Sequence, residues 1–599
     1  MNEKKIDICK KPSFIVRTLS IIALLILTVL VYWNGVYGDF VRDDLALVRN
    51  NPSLRQEDPS ALFTEQSNAI QTWDTYAYFR PITSLSFWID YRIHGMFPFG
   101  FHVTNIVLHL FCVLLFYYVL KKFLSPANYG AAWLGAAIFA LHPFNTWSVT
   151  WISGRSTILA TIFFLLALAE YIDFRRSGRV LPFYLSICAF VLGLLSNELL
   201  LLFLPVVILW ESIANRPFER RAALVSFSPF LFISLAFLTL RYAILGAGVG
   251  SQLSALSFFD MIAVIADRII LLLAPYGLEK IDVPRILGFI VVISLLILII
   301  VLIAKKKRDE AFWLALMFLG LVPVIKIFQI FGRSIADGSL YLSSIGFAAI
   351  VALGITKWSD SYKKKYPRSS IYALLAIFLL SSYSVMVHLR SFDWDNDMMF
   401  HYEILRADRE SAEGHSGLAY IYAGMGDHDS VEVHARAALK ANAYQVQSWL
   451  AIAKSYTMQE RYIEAGDAIQ NAMKSAPDNP YIFDALGNLE LKRNDYPEAR
   501  KYYLRAIDLS PNCYHANFDL GKLEFSSGRY VESRMWLEAA RKIDPINPDV
   551  HRQLSMVYSA LGEKEAAMDA WREYLRLPGV KIGDFIGDEN APGVLPNRK

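Results

Sequence analysis

The sequence predicts an all-α protein that combines a polytopic membrane domain with a C-terminal helical repeat domain. Of its 599 residues, 55% are hydrophobic, and the mean hydropathy of +0.34 is too apolar for an ordinary soluble protein. Apolar runs dominate up to about residue 390, and polar, alanine-rich segments with regularly spaced prolines follow. We therefore expect a membrane domain at 1–390, a junction helix at 391–410, a helical repeat domain at 411–580 and a tail at 581–599.

The first apolar run, at 14–33, is long enough to cross a bilayer and is not followed by a small-residue cleavage pattern, which predicts a retained anchor. Basic residues precede or begin this run and place the N-terminus in the cytoplasm: Lys4, Lys5, Lys10, Lys11 and Arg17. Further runs raise the total to about eleven crossings. They lie near 101–120, 131–149, 156–172, 181–195, 199–210, 222–240, 286–304, 311–330, 339–356 and 370–388.

The charge pattern gives an orientation for these crossings. The lysine- and arginine-rich loops all fall on the cytoplasmic side if the weaker run at 258–274 lies along the outer surface instead of crossing. An odd number of crossings then places the repeat domain outside the cytoplasm. The chain contains no Asn-x-Ser/Thr acceptor with a permitted middle residue, which favours a bacterial inner membrane over the endoplasmic reticulum. Its net charge of only +4 gives no indication of nucleic-acid binding.

The C-terminal part contains an internal repeat of 34 residues. Three kinds of position keep this interval, namely a branched apolar residue, an alanine and a proline: Leu418, Ile452, Leu486, Leu520 and Leu554; Ala438, Ala472, Ala506 and Ala540; Pro477, Pro511 and Pro545. Small residues follow the first set, where paired helices would touch. This pattern is typical of tetratricopeptide repeats and predicts about five units.

Two adjacent carboxylates, Asp43 and Asp44, follow the first crossing on the predicted extracytoplasmic side. A carboxylate can take the proton of an attacking hydroxyl, and a second one can orient it. The ordinary alternative for such a pair is a solvated loop or a helix N-cap. Charges at a membrane rim are costly and mark candidate functional sites. The same face is predicted to carry Arg80, Arg155, Glu198, Asp282, Arg333 and Asp337.

Several of these residues suit an anionic lipid headgroup. The guanidinium groups of Arg80 and Arg155 match a phosphate, although aromatic neighbours make interfacial snorkelling an equal alternative. His142 could be a ligand, but no partner at metal-binding spacing accompanies it. The Asp43–Asp44 pair could hold a divalent ion, without support beyond the pair itself. No metal motif or nucleotide-binding motif is evident, so no cofactor is assigned.

The order of motifs resembles a known family. The acidic pair is followed by further motifs: Tyr78-Phe79-Arg80-Pro81, the segment 101–110 beginning Phe-His-Val-Thr-Asn, Leu141-His142-Pro143 leading to Trp151-Ile152-Ser153-Gly154-Arg155, and the segment 340–347 beginning Leu-Tyr-Leu-Ser-Ser. With the external repeats, this order is similar to that of the transmembrane and tetratricopeptide-repeat O-mannosyltransferases and their bacterial relatives. These are GT-C glycosyltransferases, and the resemblance covers nearly the whole chain.

The resemblance implies an inverting transfer of a sugar from a polyprenyl-phosphate carrier to a protein hydroxyl. Asp43 and Asp44 match the catalytic acidic motif, either of which could be the base, and the implied lipid-phosphate or sugar contacts are Arg80, His142, Arg155, Glu198, Arg333 and Asp337. The chain departs from the family in the segment His142-Pro143-Phe144-Asn145-Thr146-Trp147, where relatives have His-Pro-x-His-Thr-Glu. Asn197-Glu198 likewise replaces a Lys-Glu pair, and Asp337-Gly338 an acid-Arg pair.

The expected partners are therefore a lipid-linked sugar donor, membrane lipid, and a protein acceptor or other protein that binds the repeats. A second hypothesis is a non-catalytic membrane scaffold that keeps its repeats for assembly, which the altered motifs would permit. A transporter is disfavoured, because the ionisable residues gather at one rim and no duplicated halves are visible.

Overall fold

The computed structural model describes residues 14–63, 79–124, 129–213, 220–245, 258–273, 275, 284–321, 335–365 and 371–577. Every regular element in these ranges is helical, which confirms the all-α prediction. The chain divides into two compact units. The membrane unit comprises Met1–Val48 and Ser53–Met399, and the repeat unit comprises Arg49–Pro52 and Phe400–Lys599.

The membrane unit contains long helices joined by short helical turns. The helices are α1 (Phe14–Tyr32), α2 (Pro81–His94), α3 (Pro98–Phe123), α4 (Tyr129–Ala140), α5 (Arg155–Ser177), α6 (Val180–Leu194), α7 (Phe203–Ile213), α8 (Arg220–Leu245), α9 (Phe258–Leu273), α10 (Arg285–Ala304), α11 (Arg308–Leu321), α12 (Ile335–Lys365) and α13 (Ile371–Arg390). A further helix, α14 (Asp397–Ala407), begins at the end of this unit, and its residues from Phe400 onward belong to the repeat unit. The turns near the candidate site are Trp33–Tyr37, Leu45–Arg49, Pro143–Asn145, Ile152–Gly154, Glu198–Leu202 and Ser391–Trp394.

Within the described residues, seven helical segments are long and apolar enough to cross a bilayer. They are Phe14–Tyr37, Pro98–Phe123, Ile152–Ser177, Ser226–Ile244, Arg285–Ala304, Leu340–Trp358 and Ala373–Trp394. Shorter apolar helices occupy Tyr129–Ala140 and Val180–Leu194. The prediction of a polytopic membrane domain agrees with this architecture, while the total of about eleven crossings stays a prediction.

The centre of the membrane unit lies where α3, α4, α5 and α12 pack together. Aromatic rings fill it: Phe139 of α4 lies 5.4 Å from Phe116 and 5.1 Å from Tyr341, between ring centroids. A Cβ atom at Gly346 would lie 2.5 Å from the backbone nitrogen of Met317, so the close approach of α11 and α12 requires glycine there. This packing fixes α3 and α5, the helices that carry Asn105 and Arg155.

The repeat unit consists of five helix pairs in its described part, which agrees with the predicted number of tetratricopeptide units. The pairs are Ala412–Met425 with His428–Ala441, Val446–Met458 with Tyr462–Ser475, Pro480–Lys492 with Tyr496–Leu509, Tyr514–Ser526 with Tyr530–Ile543, and Pro548–Ala560 with Lys564–Arg576. The two helices of each pair contact each other, and the first helices of successive pairs also contact. The predicted tail at 581–599 lies outside the described residues.

The predicted junction helix is divided into two parts. A 3-10 turn, Ser391–Trp394, directly follows α13, and α14 begins only at Asp397. The side chain of Asn396 caps α14, because its Oδ1 accepts a hydrogen bond of 3.0 Å from the backbone N–H of Met399.

Candidate active site

The predicted acidic pair lies on a tight turn after α1. The backbone N–H of Asp44 donates to the carbonyl of Val41 at 3.0 Å, and the N–H of Val41 donates in return to the Asp44 Oδ2 at 3.2 Å. Arg42, inside this turn, has a φ of +53°, a left-handed conformation that is disfavoured for residues with a Cβ atom. The backbone that directly precedes Asp43 is therefore held in an unusual and well-defined shape.

The two aspartates have different environments. Asp44 is fully buried, and its second oxygen, Oδ1, accepts hydrogen bonds from the backbone N–H of Ser153 at 2.7 Å and from the Ser153 hydroxyl. Burial raises the pKa of Asp44 to about 7, although the hydrogen bonds from Ser153 and Val41 act in the opposite direction. Asp43 is partly exposed. The geometry thus makes Asp44 an internal anchor of the turn and leaves Asp43 as the more accessible carboxylate.

Ser153 belongs to the Trp-Ile-Ser-Gly-Arg motif, which forms a 3-10 turn directly before α5. A Cβ atom on Gly154 would lie 2.6 Å from the carbonyl oxygen of Trp147 and 2.7 Å from the Cα of Ser148. Only glycine allows this approach of two backbone segments. The motif is therefore locked against the preceding short helix, Thr146–Val149, which fixes the position of Ser153 under the acidic turn.

Arg155 is fully buried and surrounded by acceptors. Its Nη2 lies 2.5 Å from the Oδ2 of Asp90 and donates to the carbonyl of Phe101 at 2.8 Å, while its Nε donates to the Oδ1 of Asn105 at 2.7 Å. The guanidinium carbon lies 4.6 Å from the centroid of the Phe87 ring. This arrangement ties α2 and α3 to the start of α5, and it gives Arg155 a structural role before any ligand is considered.

Arg80 and Glu198, both predicted site residues, form a buried ion pair. The Oε2 of Glu198 accepts from the Nε of Arg80 at 3.1 Å and from its Nη2 at 2.9 Å. The other carboxylate oxygen, Oε1, accepts from Arg241 of α8. All three side chains are at least nine-tenths buried. Burial alone would raise the pKa of Glu198, but Arg241 and Arg80 hold it below its ordinary value.

Ser156 connects this cluster to the motif that holds Asp44. Its hydroxyl oxygen accepts from the Nη1 of Arg80 at 3.2 Å and from the Nδ2 of Asn197 at 3.1 Å. The four consecutive residues 153–156 thus contact Asp44 at one end and the arginine cluster at the other. Two groups of predicted site residues are brought together by one short segment.

The remaining predicted residues are placed as follows. His142 is fully buried, and its Nδ1 accepts from the backbone N–H of Phe144 at 3.4 Å, so that it caps the turn Pro143–Asn145. This arrangement supports a structural role for His142. Asp337 lies within α12, but its side chain is not described, and Arg333 and Asp282 lie outside the described residues.

Three residues that complete the site, Arg241, Asp90 and Ser153, are not among the site residues predicted from the sequence. Arg241 lies near the end of an apolar run, which is itself a signal, since an arginine in a membrane segment is costly unless it is paired. Ser153 lies in the Trp-Ile-Ser-Gly-Arg motif but receives no role from the sequence, and Asp90 carried no comparable signal, because α2 is too polar for a predicted crossing.

Among the described residues, the site shows no cluster of the kind that holds a metal ion. In the described part of the chain, no group of three or more His, Cys, Asp or Glu side chains is placed to hold a metal ion. Both oxygens of Asp44 already accept hydrogen bonds from the protein. A divalent ion at Asp43 and Asp44 stays a prediction.

Comparison with known proteins finds the same family that the motifs indicated. Protein O-mannosyl-transferase TMTC3 of Homo sapiens is 21% identical over 615 residues, covering 90% of this chain and 65% of that protein. Protein O-mannosyl-transferase F38B6.6 of Caenorhabditis elegans is 26% identical over 434 residues, covering 68% of this chain and 60% of that protein. Protein O-mannosyl-transferase TMTC4 of Mus musculus is 24% identical over 467 residues, covering 65% of this chain and 62% of that protein. A tetratricopeptide repeat family model matches residues 485–548.

The homologues of this chain are thus protein O-mannosyl-transferases of the TMTC family, and the resemblance inferred from the motifs is confirmed. The chain spans 65% of the length of human TMTC3 and 60% of the length of the C. elegans relative. The predicted bacterial origin stays a prediction.

Proposed function

We propose that this chain is a membrane glycosyltransferase that moves a sugar from a polyprenyl-phosphate carrier to the hydroxyl of an extracytoplasmic protein. The homologues, which are named as protein O-mannosyl-transferases, support the reaction class and the protein acceptor. The observation that carries the proposal to specific residues is the contrast between the two aspartates. Asp44 is anchored by Ser153 and Val41, whereas Asp43 is partly exposed on the same turn.

Asp43 is the proposed catalytic base. A base must reach the proton of the acceptor hydroxyl, and Asp43 is the carboxylate of the pair with an accessible surface. Asp44 cannot do this without giving up the donors of Ser153 or Val41. Its proposed role is to fix the turn.

In the proposed reaction, the acceptor oxygen attacks the anomeric carbon as its proton passes to the Asp43 carboxylate. The bond between the anomeric carbon and the phosphate oxygen breaks on the opposite face, and its electron pair leaves with the polyprenyl phosphate. The configuration at the anomeric carbon is therefore inverted. The reaction needs no oxidant, reductant or soluble nucleotide.

The departing phosphate carries negative charge that the site must stabilise. Arg80 and Arg241 both contact the carboxylate of Glu198. The cluster places two guanidinium groups in a buried setting, next to the segment 153–156 that also holds Asp44. Guanidinium groups fixed in this way favour a phosphate nearby and stabilise its developing charge without reorganisation.

The repeat unit is the proposed site for the protein acceptor or another protein partner. Its five helix pairs form a solenoid, an architecture that offers an extended surface for binding. With the N-terminus in the cytoplasm, the repeat unit and the acidic turn are proposed to be extracytoplasmic, since both must meet the acceptor on one side of the membrane. A reporter fused after Lys599 tests this orientation, and a cytoplasmic signal would contradict it.

The test uses the full chain in liposomes with labelled polyprenyl-phosphate mannose and proteins extracted from cells that lack this chain. Release of the label from protein by alkaline elimination identifies a hydroxyl linkage. Donors carrying glucose, and a nucleotide-linked mannose, are run in parallel to identify the sugar and the donor class. Asp43→Asn should lower the transfer rate by about a hundredfold or more. Asp44→Asn should act by weakening the turn and should also lower protein stability.

The matched control is Asp39→Asn in the same loop. Asp39 is exposed, and its Oδ1 accepts from the N–H of Phe40 at 2.8 Å, a contact that asparagine can keep. Its transfer rate should equal that of the unaltered chain. A transfer rate of Asp43→Asn equal to that of the unaltered chain would overturn the assignment of Asp43 as the base. If the correctly inserted, unaltered chain transfers no sugar from any polyprenyl-phosphate donor, the scaffold hypothesis is favoured instead.

A further inference from the structure

The segment that follows the last membrane helix returns to the acidic turn within the same compact unit. The backbone N–H of Arg42 donates to the Oδ1 of Asp397 at 2.9 Å, and the N–H of Asp39 donates to the carbonyl of Asp395 at 2.9 Å. A Cβ atom on Gly38 would lie 2.8 Å from the carbonyl oxygen of Trp394, which shows how closely the two segments approach. The turn is therefore held from both sides, by Ser153 on one and by this segment on the other.

Indole rings support the same contact. Trp394 is stacked on Trp151 with ring centroids 5.5 Å apart and an angle of 15°, and it meets Trp147 edge to face at 4.9 Å. The guanidinium carbon of Arg42 lies 5.9 Å from the centroid of the Trp151 ring. Both parts of Arg42 are thus anchored. Its backbone N–H is bound by Asp397, and its side chain lies over the ring of Trp151, on which Trp394 is stacked.

This anchoring matters because Arg42 has a left-handed backbone, which a residue with a Cβ atom keeps only where its surroundings enforce it. A carboxylate that accepts from the backbone N–H of Arg42 stabilises this conformation directly, since hydrogen bonds to charged acceptors are the stronger kind. Asp43 is the next residue along the chain, so the direction of its side chain depends on the backbone of Arg42.

We infer that Asp397 is a positioning residue that aims the Asp43 carboxylate by holding the backbone of Arg42. The inference rests on the proposed function, in which Asp43 is the base. Asp397 does not touch the reacting atoms in this role; it keeps the base within reach of the acceptor hydroxyl. The first residue of α14 thereby becomes part of the catalytic apparatus, although it lies 355 positions from Arg42 in the sequence.

The first test measures the kinetics of sugar transfer by the full chain in liposomes, with polyprenyl-phosphate mannose as donor. Asp397→Ala should lower kcat about tenfold and leave KM for the donor within about twofold, because a misdirected base slows the chemical step and not donor binding. Asp397→Asn keeps an oxygen acceptor and should stay within about threefold of the unaltered chain.

The matched control is Asp395→Ala in the same segment. Asp395 contributes its backbone carbonyl, its side chain is exposed, and alanine keeps the carbonyl. Asp395→Ala should therefore leave kcat unchanged. A kcat for Asp397→Ala equal to that of Asp395→Ala would overturn the inference.

A second measurement does not depend on activity. Amide hydrogen exchange of the peptide that covers 38–48 should be about tenfold faster in Asp397→Ala than in the unaltered chain, and unchanged in Asp395→Ala. Unchanged exchange in Asp397→Ala would refute the positioning role. If the unaltered chain proves inactive, the proposed function fails, while this exchange experiment still decides whether Asp397 holds the turn.

Discussion

The backbone N–H of Ser153 donates a 2.7 Å hydrogen bond to the Oδ1 of Asp44, across a separation of 109 residues in the sequence. The Ser153 hydroxyl donates to the same oxygen. This pairing joins the turn after the first membrane helix to the motif that opens α5. It also decides which of two adjacent carboxylates is buried and which is accessible.

Ser153→Ala removes the hydroxyl donor and keeps the backbone one. The pKa of Asp44 should rise further, because the Ser153 hydroxyl lowers it, and the turn should loosen. Transfer should fall about three- to tenfold, the equivalent of one lost hydrogen bond. The control is Ser148→Ala, since Ser148 is buried but its hydroxyl has no hydrogen-bond partner among the described atoms. Equal rates for the two variants would contradict the role of the Ser153 hydroxyl.

The raised pKa of Asp44 predicts a pH dependence of stability. Its ordinary value is 3.8 and its folded value is about 7, mainly because burial disfavours the charged form. A group with a raised folded pKa contributes stability that is complete below about pH 4 and is lost as the pH rises through about 7. The thermal midpoint of the solubilised chain, compared with that of Asp44→Asn, should therefore fall between pH 5 and pH 8. If the thermal midpoints of the unaltered chain and of Asp44→Asn differ by the same amount at pH 5 and at pH 8, titration of Asp44 is excluded as the cause.

Glu198→Gln tests the buried arginine cluster. Glutamine leaves Arg80 and Arg241 without the charge of the carboxylate they share, and removal of one partner from a buried ion pair costs about 3–5 kcal/mol. The thermal midpoint of the solubilised chain should fall markedly. Glu498→Gln provides the same chemical change in an exposed pair with Lys501, where the thermal midpoint should change little because solvent screens the pair. A similar fall of the thermal midpoint in Glu198→Gln and Glu498→Gln would argue against a buried cluster around Glu198.

Gly154→Ala tests the close approach that locks the Ser153 motif. The added Cβ would meet backbone atoms of Trp147 and Ser148, which cannot move aside as a flexible side chain could. Overpacking of this kind costs about 1–3 kcal/mol, and the displaced Ser153 should reduce transfer as well. Gly130→Ala is the matched control, because the space around Gly130 in α4 is open within 4 Å. We expect Gly130→Ala to retain full stability and activity; a loss as large as that of Gly154→Ala would indicate a general intolerance to alanine.

Part of the site was accessible from the sequence alone. The position of Asp43 and Asp44 after the first crossing, and the arginines and glutamate at the same predicted rim, followed from hydropathy and charge. Arg241 could have been included by the same argument. The partners Asp90 and Ser153 could not, because neither serine nor an aspartate in a polar helix has a local pattern that reveals what it contacts.

The sequence by itself determined the fold class, the apolar membrane helices and the 34-residue repeat, since all three follow from periodicities between near neighbours in the chain. Only the tertiary structure decided that Asp44 is anchored, that Arg155 is enclosed by acceptors and that Asp397 holds Arg42. The physical reason is that burial and hydrogen bonding depend on which distant segments pack together. Two neighbouring aspartates that are chemically identical in the sequence therefore have different environments in the folded chain.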